Sequence, residues 1–494
     1  MTRLATVLHY FGVVLVVFSF LQALPLLVSA VSERTVDFPA LTYGAPAAAC
    51  LLLGVALARG FRPRELTAGQ AMAVGVIGWI ALSLIGALPF WLALDFGYFD
   101  MLFESVSGFT TTGMTVILPP AGELSPIALQ DLPESLLIWR AMTQWIGGLG
   151  IFTLLLAITL RGGPRHHLLA VEMHKAASGR PVPGLLHSLR ILWLVYVVLT
   201  VACGAVLYGL LGDPVDATVH ALTTVSTGGF STHDGSIGDL AGHPHAVAIQ
   251  YTLIAFMFLG GTSFLLHWKA LRGRFRDVFL DPELRLWVAF LAAATLLVAL
   301  SRRVDPGAGL HERIRSSLFH VVSVATTTGY TLRDLGDVAF GALAQQVFLW
   351  LMLVGGCVGS TAGGLKVMRV RLLARVTQHF VRRTALPPSA VVPLTLRGVA
   401  VPRDEVTRLA VLVFGWLGFV AVGSIVLAAT SSLGVAAAMS GSLSAMGNVG
   451  PSLINAEAFA GLGVAAKLWM MVAMIAGRLE ILPLLLLFRR GAWR

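Results

Sequence analysis

Long apolar runs recur from the first residues of the chain to the last, and this repetition constrains the fold more than any other feature. A helix needs about 20 predominantly apolar residues to cross the hydrocarbon core of a bilayer, and the sequence can supply about ten such stretches. Little is left over for a soluble body. Only 12% of the 494 residues are charged, against about 25% in a typical soluble domain. The deficit runs along the whole chain, which excludes one anchor on a soluble protein. The start, Met1 to Ala30, has the Arg3 and apolar stretch of a signal peptide. That stretch runs too long and lacks a small-residue cleavage site, so it reads as a retained helix.

The formal net charge of +10 would suggest a nucleic-acid partner in a soluble protein. Here its placement gives a different meaning. Basic residues cluster at Arg59–Arg64, Arg161–Arg190, Lys269–Arg285, Lys366–Arg408 and Arg489–Arg494, with Arg3 at the start. The connections between are acidic or mixed, with Asp95, Asp100, Glu123, Asp131 and Glu134 in one and Asp213, Asp216, Asp234 and Asp239 in the next. By the positive-inside rule the basic clusters are cytoplasmic, and with them both termini. Nucleic acid is thereby set aside as a partner. The three cysteines, Cys50, Cys203 and Cys357, have no spaced partners, so neither a disulfide framework nor a zinc motif follows.

After two spans near 4–30 and 38–58, one pattern occurs four times. It is a long apolar helix, a short segment, a Thr/Ser/Gly-rich turn, and a second long helix ending in a basic cluster. The first copy has helices near 68–95 and 134–160, with a short segment at 99–109. The second has helices near 188–211 and 245–268, the third near 285–301 and 340–375, the fourth near 405–430 and 459–488. Short runs of this kind read as re-entrant helices. Each copy begins and ends at a basic cluster, so its short segment dips in from outside and returns. The expected fold is an all-α integral membrane protein: four parallel pseudo-repeats of helix, pore loop and helix around a central pore. The divisions are an N-terminal helix pair (1–64) and repeats at 65–165, 185–276, 283–383 and 402–494.

The turns carry the chemistry. They read Phe109-Thr-Thr-Thr-Gly-Met-Thr115, Val225-Ser-Thr-Gly-Gly-Phe-Ser231, Ala325-Thr-Thr-Thr-Gly-Tyr-Thr331 and Met446-Gly-Asn-Val-Gly-Pro-Ser452. Irregular backbone is tolerated at membrane depth only where it lines a cavity or is buried in protein. An extended strand with inward carbonyls can replace a cation's water shell. Glycine permits the angles that turn successive carbonyls the same way. The preceding helix points its negative end at the pore, and oxygen-only coordination suits a hard cation. One such turn alone would pass for helix packing; four in matching context argue for a pore.

These turns, and Ser226-Thr-Gly-Gly-Phe-Ser-Thr-His-Asp234 above all, resemble the filter loops of the Trk/Ktr/HKT superfamily. The resemblance covers nearly the whole chain and is nearest to the membrane subunits of Trk potassium uptake systems, which share the N-terminal helix pair. It implies that K⁺ is the transported ion, with no organic cofactor in this chain. The ion would be held by Thr111 and Thr112, Thr227 and Gly228, Thr327 and Thr328, and Asn448 and Val449. The filter glycines would be Gly113, Gly229, Gly329 and Gly450. The fourth loop has no Thr before its glycine, which makes its geometry the least defined. In related plant transporters a serine at the first filter glycine goes with Na⁺ preference, so Gly113 favours K⁺. The resemblance also implies a homodimer and a separate cytoplasmic nucleotide-binding regulatory subunit, which the basic loops at 161–190 and 366–408 could dock.

Two further features concern gating. The second helix of repeat three is interrupted by Gly355-Gly-Cys-Val-Gly-Ser-Thr-Ala-Gly-Gly364, including Gly355, Gly356, Gly359, Gly363 and Gly364. Each glycine costs about 1 kcal/mol relative to alanine in a helix. The stretch reads either as a kink or close-packing site or as an unwound loop beneath the filter; the resemblance implies a gate. Arg478 lies inside the last helix, where a charge is expensive and normally faces water or a partner. A structural ion pair is one explanation. The resemblance implies that it faces the pore near the 355–364 loop and limits cation flow.

Arg140, Lys467, Arg333 and Glu104 lie near the outer ends of their segments and read as braces or anchors. His166-His167 and His243-Pro-His245 read as solvated loop residues. Asp234 either concentrates cations outside the second filter or caps a turn. The competing functions are a Na⁺ or mixed Na⁺/K⁺ transporter of the same fold and, more remotely, a membrane enzyme. The latter would need intramembrane nucleophiles, paired carboxylates or metal ligands, and the helices offer none.

Overall fold

The computed structural model describes residues 2–32, 34–62, 68–117, 128–159, 185–301, 309–387, 392–396, 399–481 and 483–484. Among them the protein is helical, apart from one two-residue antiparallel pair, Thr395–Leu396 with Val399–Ala400.

The N-terminal pair, α1 (Thr2–Ser29) and α2 (Ala45–Gly60), crosses closely because glycines face each other. A β-carbon on Gly12 would lie 2.7 Å from the Gly54 carbonyl oxygen, and one on Gly54 would lie 2.8 Å from that of Gly12. Small residues at such crossings let backbones approach in a membrane, where the hydrophobic effect does not drive helices together. His9 Nδ1 donates to the carbonyls of Ala58 and Phe61 at 2.8 and 2.9 Å, satisfying the end of α2. The Tyr43 hydroxyl, bonded to Ser135 Oγ at 3.0 Å, ties this pair to the first repeat.

Repeat one comprises α3 (Ala68–Gly86), α4 (Leu88–Ala93), the short α5 (Tyr98–Phe109) and α6 (Glu134–Thr159). Repeat two comprises α7 (Leu185–Leu211), the short α8 (Pro214–Val225), α9 (Ala246–Gly261), α10 (Phe264–Leu271) and α11 (Phe275–Phe279). Repeat three holds α12 (Pro282–Ser301), the short α13 (Leu310–Ala325), α14 (Gly341–Leu353) and α15 (Val367–Thr384). Repeat four holds α16 (Arg403–Thr430), the short α17 (Val435–Gly447), α18 (Ala456–Ala460) and α19 (Val464–Leu479).

The four short helices α5, α8, α13 and α17 are buried along most of their length and form the core. The long first helices face outward instead: Phe414 on α16 is 74% exposed and Leu300 on α12 is 69% exposed. Apolar surface on that scale is expected of helices that face lipid rather than water. Six helices among the described residues are long and apolar enough to cross a membrane, or seven if α9 and α10 are one bent span. Three of the four second helices are broken, whereas α6 runs unbroken over Glu134–Thr159. The continuous helix expected over 245–268 bends by 104° at Thr262–Ser263. The one expected over 340–375 unwinds between Leu353 and Val367. The one expected over 459–488 yields to two left-handed residues, Glu480 and Ile481, after Leu479. The glycines at 355–364 mark the second of these breaks in the sequence, whereas Thr262–Ser263 lies inside a run that is otherwise apolar.

The pore helices are pinned to the outer helices in a common register. Ser105 Oγ on α5 donates to the Ser83 carbonyl at 2.7 Å, and Ser442 Oγ on α17 donates to that of Val420 at 2.9 Å. Both serines lie the same distance before their filter glycine. Such bonds satisfy hydroxyls that would otherwise be stranded in an apolar interior.

Candidate functional site

Each short helix ends in the same motif. The residue two before the filter glycine is left-handed: Thr111 (φ 52°), Thr227 (55°), Thr327 (56°) and Asn448 (55°). Its N–H donates back to the carbonyl of Gly108, Thr224, Val324 or Ala445. The next N–H, of Thr112, Gly228, Thr328 or Val449, reaches one residue further back, to Ser107, Thr223, Ser323 or Ser444, at 2.9, 2.8, 2.9 and 3.0 Å. This is the Schellman arrangement that closes a helix C-terminus. The glycine expected to belong to the filter follows with φ of 81°, 78°, 87° and 101° at Gly113, Gly229, Gly329 and Gly450.

A β-branched residue in the left-handed region is strained, and three of the four loops use threonine there. Asn448 is the residue that tolerates this conformation best after glycine. The fourth loop, which looks the most divergent in sequence, therefore has the same backbone as the others. Its Val449 has the shape of the threonine it replaces.

The four loops close into a ring. A β-carbon on Gly113 would lie 2.2 Å from the Gly228 carbonyl oxygen, one on Gly229 1.9 Å from Thr328 O, one on Gly329 2.1 Å from Val449 O, and one on Gly450 2.5 Å from Thr112 O. Each filter glycine thus abuts the carbonyl just before the filter glycine of the next repeat, and repeat four returns to repeat one. The threonine hydroxyls beside these carbonyls are already used. Thr110 Oγ1 donates to Val106 O at 2.7 Å, so the 2.7 Å bond to Thr112 takes the Thr112 proton. Thr326 and Thr328 repeat the arrangement at 2.7 and 2.8 Å. The Thr112 hydroxyl also accepts from Asn448 Nδ2 of loop four at 3.1 Å.

The ring is braced from behind. The buried Glu104 and Arg140 pair at 2.6 Å, Glu104 Oε2 accepts from Val116 N at 3.0 Å, and Arg140 Nη1 donates to Ser231 O at 2.8 Å. The Arg140 guanidinium also lies 3.6 Å from the centre of the Phe230 ring, a cation–π contact. Loops one and two are therefore joined through one buried ion pair, the bracing role expected of these residues. His220 and His320 occupy the register of Glu104 in repeats two and three. His320 Nε2 accepts from Leu332 N at 3.2 Å; His220 Nε2 accepts from Ser231 Oγ at 3.0 Å. This register is readable in the sequence by aligning each loop on its glycine. Tyr330, just after the third filter glycine, bonds Thr223 and Thr224 behind α8 at 2.5 and 3.2 Å. Lys467 pairs with Asp100 at 2.7 Å, joining repeats four and one. Asp234 caps a turn, accepting from Leu129 N at 2.9 Å. His243 Nδ1 accepts from His245 N in an exposed loop, whereas His166 and His167 lie outside the described residues.

The glycine-rich stretch is an irregular loop against the inner side of this ring. Its ends meet through bonds from Gly355 N to Leu365 O and from Leu365 N to Leu353 O at 2.9 and 3.0 Å. Gly359 and Gly364 have φ of 78° and 63°. Gly355, Gly356 and Gly363 are needed for space: a β-carbon on Gly363 would lie 2.4 Å from Gly447 O, and one on Gly356 2.5 Å from Gly261 O. The loop bonds directly to the filter strands, through Gly363 N to Thr327 Oγ1 at 2.7 Å and Thr361 Oγ1 to Val225 O at 3.0 Å.

Arg478 is buried against the same loop. Its Nη1 donates to Thr361 O at 2.8 Å, and its Nη2 to Gly147 O and Gly148 O at 2.7 and 2.8 Å. One side chain from repeat four thereby joins repeats one and three with no carboxylate among its partners. Glu480 pairs instead with Arg369 on α15, both oxygens accepting from Nη2 at 2.7 and 2.8 Å.

The sequence matches the family described as TrkH, cation transport protein, over residues 60–492. The chain belongs to the TrkH family. It is 32% identical to the Trk system potassium uptake protein TrkH of Halomonas elongata, covering 99% of both chains. It is 33% identical to the protein of the same name from Escherichia coli K12, over 87% of each. The crystal structure of the potassium transporter TrkH from Vibrio parahaemolyticus superposes with a TM-score of 0.85 at 28% identity, covering 99% of this chain and 100% of that one. The TrkH fold thus extends over both the N-terminal pair and the four repeats, and the ring described above lies within the matched residues.

Proposed function

We propose that this TrkH-family chain is the K⁺-conducting membrane subunit of a Trk-type uptake system, with the four-loop ring as its selectivity filter. The closure of the ring carries the reading: four carbonyls, those of Thr112, Gly228, Thr328 and Val449, each abut the glycine of the adjoining repeat. Together with the carbonyls of Thr111, Thr227, Thr327 and Asn448 they supply oxygen ligands that replace water around a dehydrated cation. The pore helices α5, α8, α13 and α17 direct their C-terminal partial charge toward that point.

The loop at 355–364 is the gate in this reading, and Arg478 is its latch and an electrostatic barrier. The bonds from Gly363 to Thr327 and from Arg478 to Thr361 support that assignment, since both must break for the loop to leave. The repeats divide at 65–165, 185–276, 283–383 and 402–494, after the N-terminal pair at 1–64. The basic clusters place the termini in the cytoplasm, where the basic stretches accept a nucleotide-binding regulatory partner, and the subunit pairs as a homodimer in the inner membrane. The test is tracer rubidium uptake into K⁺-loaded liposomes that hold the purified protein, with external K⁺, Na⁺ and Li⁺ as competitors. Block by K⁺ and not by Na⁺ is expected. Equal competition by Na⁺ would replace K⁺ selectivity with mixed-cation transport.

A further inference from the structure

The residue before the filter glycine is threonine in repeats one and three and valine in repeat four, but Gly228 in repeat two. Gly228 is not among the residues with positive φ, so its backbone does not demand glycine. The space does. A β-carbon on Gly228 would lie 2.4 Å from both Cδ and Oε1 of Gln144 and 2.9 Å from its Cβ. Gln144 is fully buried on α6, in the preceding repeat. Its Nε2 donates to the Gly228 carbonyl oxygen at 2.6 Å, and its Oε1 accepts from Phe230 N at 3.0 Å. A carbonyl can only accept and a backbone N–H can only donate, so the partners themselves fix the orientation of the amide. The side chain thus clamps the second filter strand on both sides of Gly229. Among the described residues no side chain donates to the corresponding carbonyls of Thr112, Thr328 or Val449.

We propose that Gln144 is a selectivity-determining positioning residue: its amide holds the Gly228 carbonyl and weakens the field that this oxygen presents to the ion. A donated proton draws on the oxygen lone pairs, and the clamp fixes the width of the ring at that strand. Both effects penalise the smaller, more tightly hydrated Na⁺, because selectivity rests on cavity size and on the number and field strength of the carbonyl dipoles. The inference rests on the filter reading above.

The experiment is the same rubidium uptake, read as the ratio of external Na⁺ to external K⁺ concentrations that halve it. Gln144→Ala and Gln144→Met, the latter keeping length without the amide, are expected to lower that ratio roughly three- to tenfold, the value of one hydrogen bond. K⁺-inhibitable uptake should persist in both. Gly228→Thr alone should lose uptake, because Gln144 stands where its β-carbon must go. Gly228→Thr in the Gln144→Ala background should recover uptake but keep the lowered ratio, because the clash is gone and no amide meets the 228 carbonyl. A loss of folded protein alone would lower uptake without moving a ratio of two ions. An unchanged ratio in both single variants, or a double variant no better than Gly228→Thr alone, overturns the role of Gln144. Wild-type protein that fails to prefer K⁺ would instead overturn the K⁺-selective reading of the filter on which this inference rests, and the two failures are told apart by that arm.

Discussion

The gate reading makes a quantitative prediction for Thr327→Val. Thr327 and the Gly363 backbone sit in the fully occluded zone where filter meets loop, and the loop N–H donates to the threonine hydroxyl at 2.7 Å. Valine keeps the volume and the β-branch, so the left-handed backbone at this position is strained to the same degree as before. Only the acceptor is lost. A buried N–H left without a partner costs about 1–3 kcal/mol. The open state, in which the loop has left and water can reach that N–H, does not bear this cost. The closed state is therefore destabilised relative to the open one by the same amount, equivalent to about a 5- to 150-fold shift in the equilibrium. Basal rubidium uptake into liposomes, with no regulatory partner added, should rise by a factor within that range if the loop is mostly closed at rest. The Na⁺/K⁺ competition ratio should hold, because the Thr327 carbonyl remains. Unchanged basal uptake at matched protein content would refute the idea that this bond holds the loop shut. A rise accompanied by loss of ion preference would instead indicate that the hydroxyl shapes the filter.

Two other perturbations follow from the geometry. Arg478→Ala removes a charged donor from Thr361 O, a bond worth about 1.5–3 kcal/mol, so basal uptake should rise by about tenfold or more; combined with Thr327→Val it should give less than the product of the single effects, because both act on one loop. At the filter mouth, the Nε2 bond to Asp216 holds the His233 imidazolium, raising its pKa above the ordinary value of 6.5 against the opposing effect of partial burial. With the folded pKa raised, the contribution to stability is complete below about pH 6.5 and is lost as pH climbs through the higher folded value. Thermal unfolding midpoints should therefore fall across that window in the wild type and stay level in His233→Gln.

Much of the architecture is legible in the sequence because two of its signals are periodic. Basic clusters bound the expected repeats, and each loop carries a glycine behind small residues, so the order of helices and the four glycines that share a left-handed backbone follow without coordinates. What is not legible depends on residues far apart in the chain. The break at Thr262–Ser263 lies in a run as apolar as any other, and it exists because the loop of repeat three occupies the space: Cys357 N bonds Gly261 O at 2.9 Å. The partners of Arg478 are backbone carbonyls, and backbone acceptors leave no trace in side-chain patterns. The same holds for Gln144, whose only sequence signal is an exception, the glycine at 228 where two other loops have threonine.

The exceptions in the four-fold pattern are themselves connected. In repeats one, two and four a glycine on the second long helix lets it lie against its own pore helix, with Gly147 near Phe109 O, Gly260 near Val225 O and Gly477 near Met446 O. In repeats one and two the following residue is also glycine and abuts the next loop, Gly148 on Ser226 and Gly261 on Thr326. In repeat four the following residue is Arg478. A helix that continued the pattern would bring glycine against loop one; this one extends a cation to the carbonyls of Gly147, Gly148 and Thr361 instead. Repeat three departs in a matching way, its second helix giving way to the loop that supplies Thr361. A ring of four equal repeats would have neither the irregular 355–364 loop nor the charge of Arg478 against it. Each departure needs the other, since the unwound loop provides free carbonyls and the arginine needs acceptors at a depth where water is scarce. In the proposed gate reading, the asymmetry of repeats three and four is therefore one device assembled from two departures in an otherwise repeated plan.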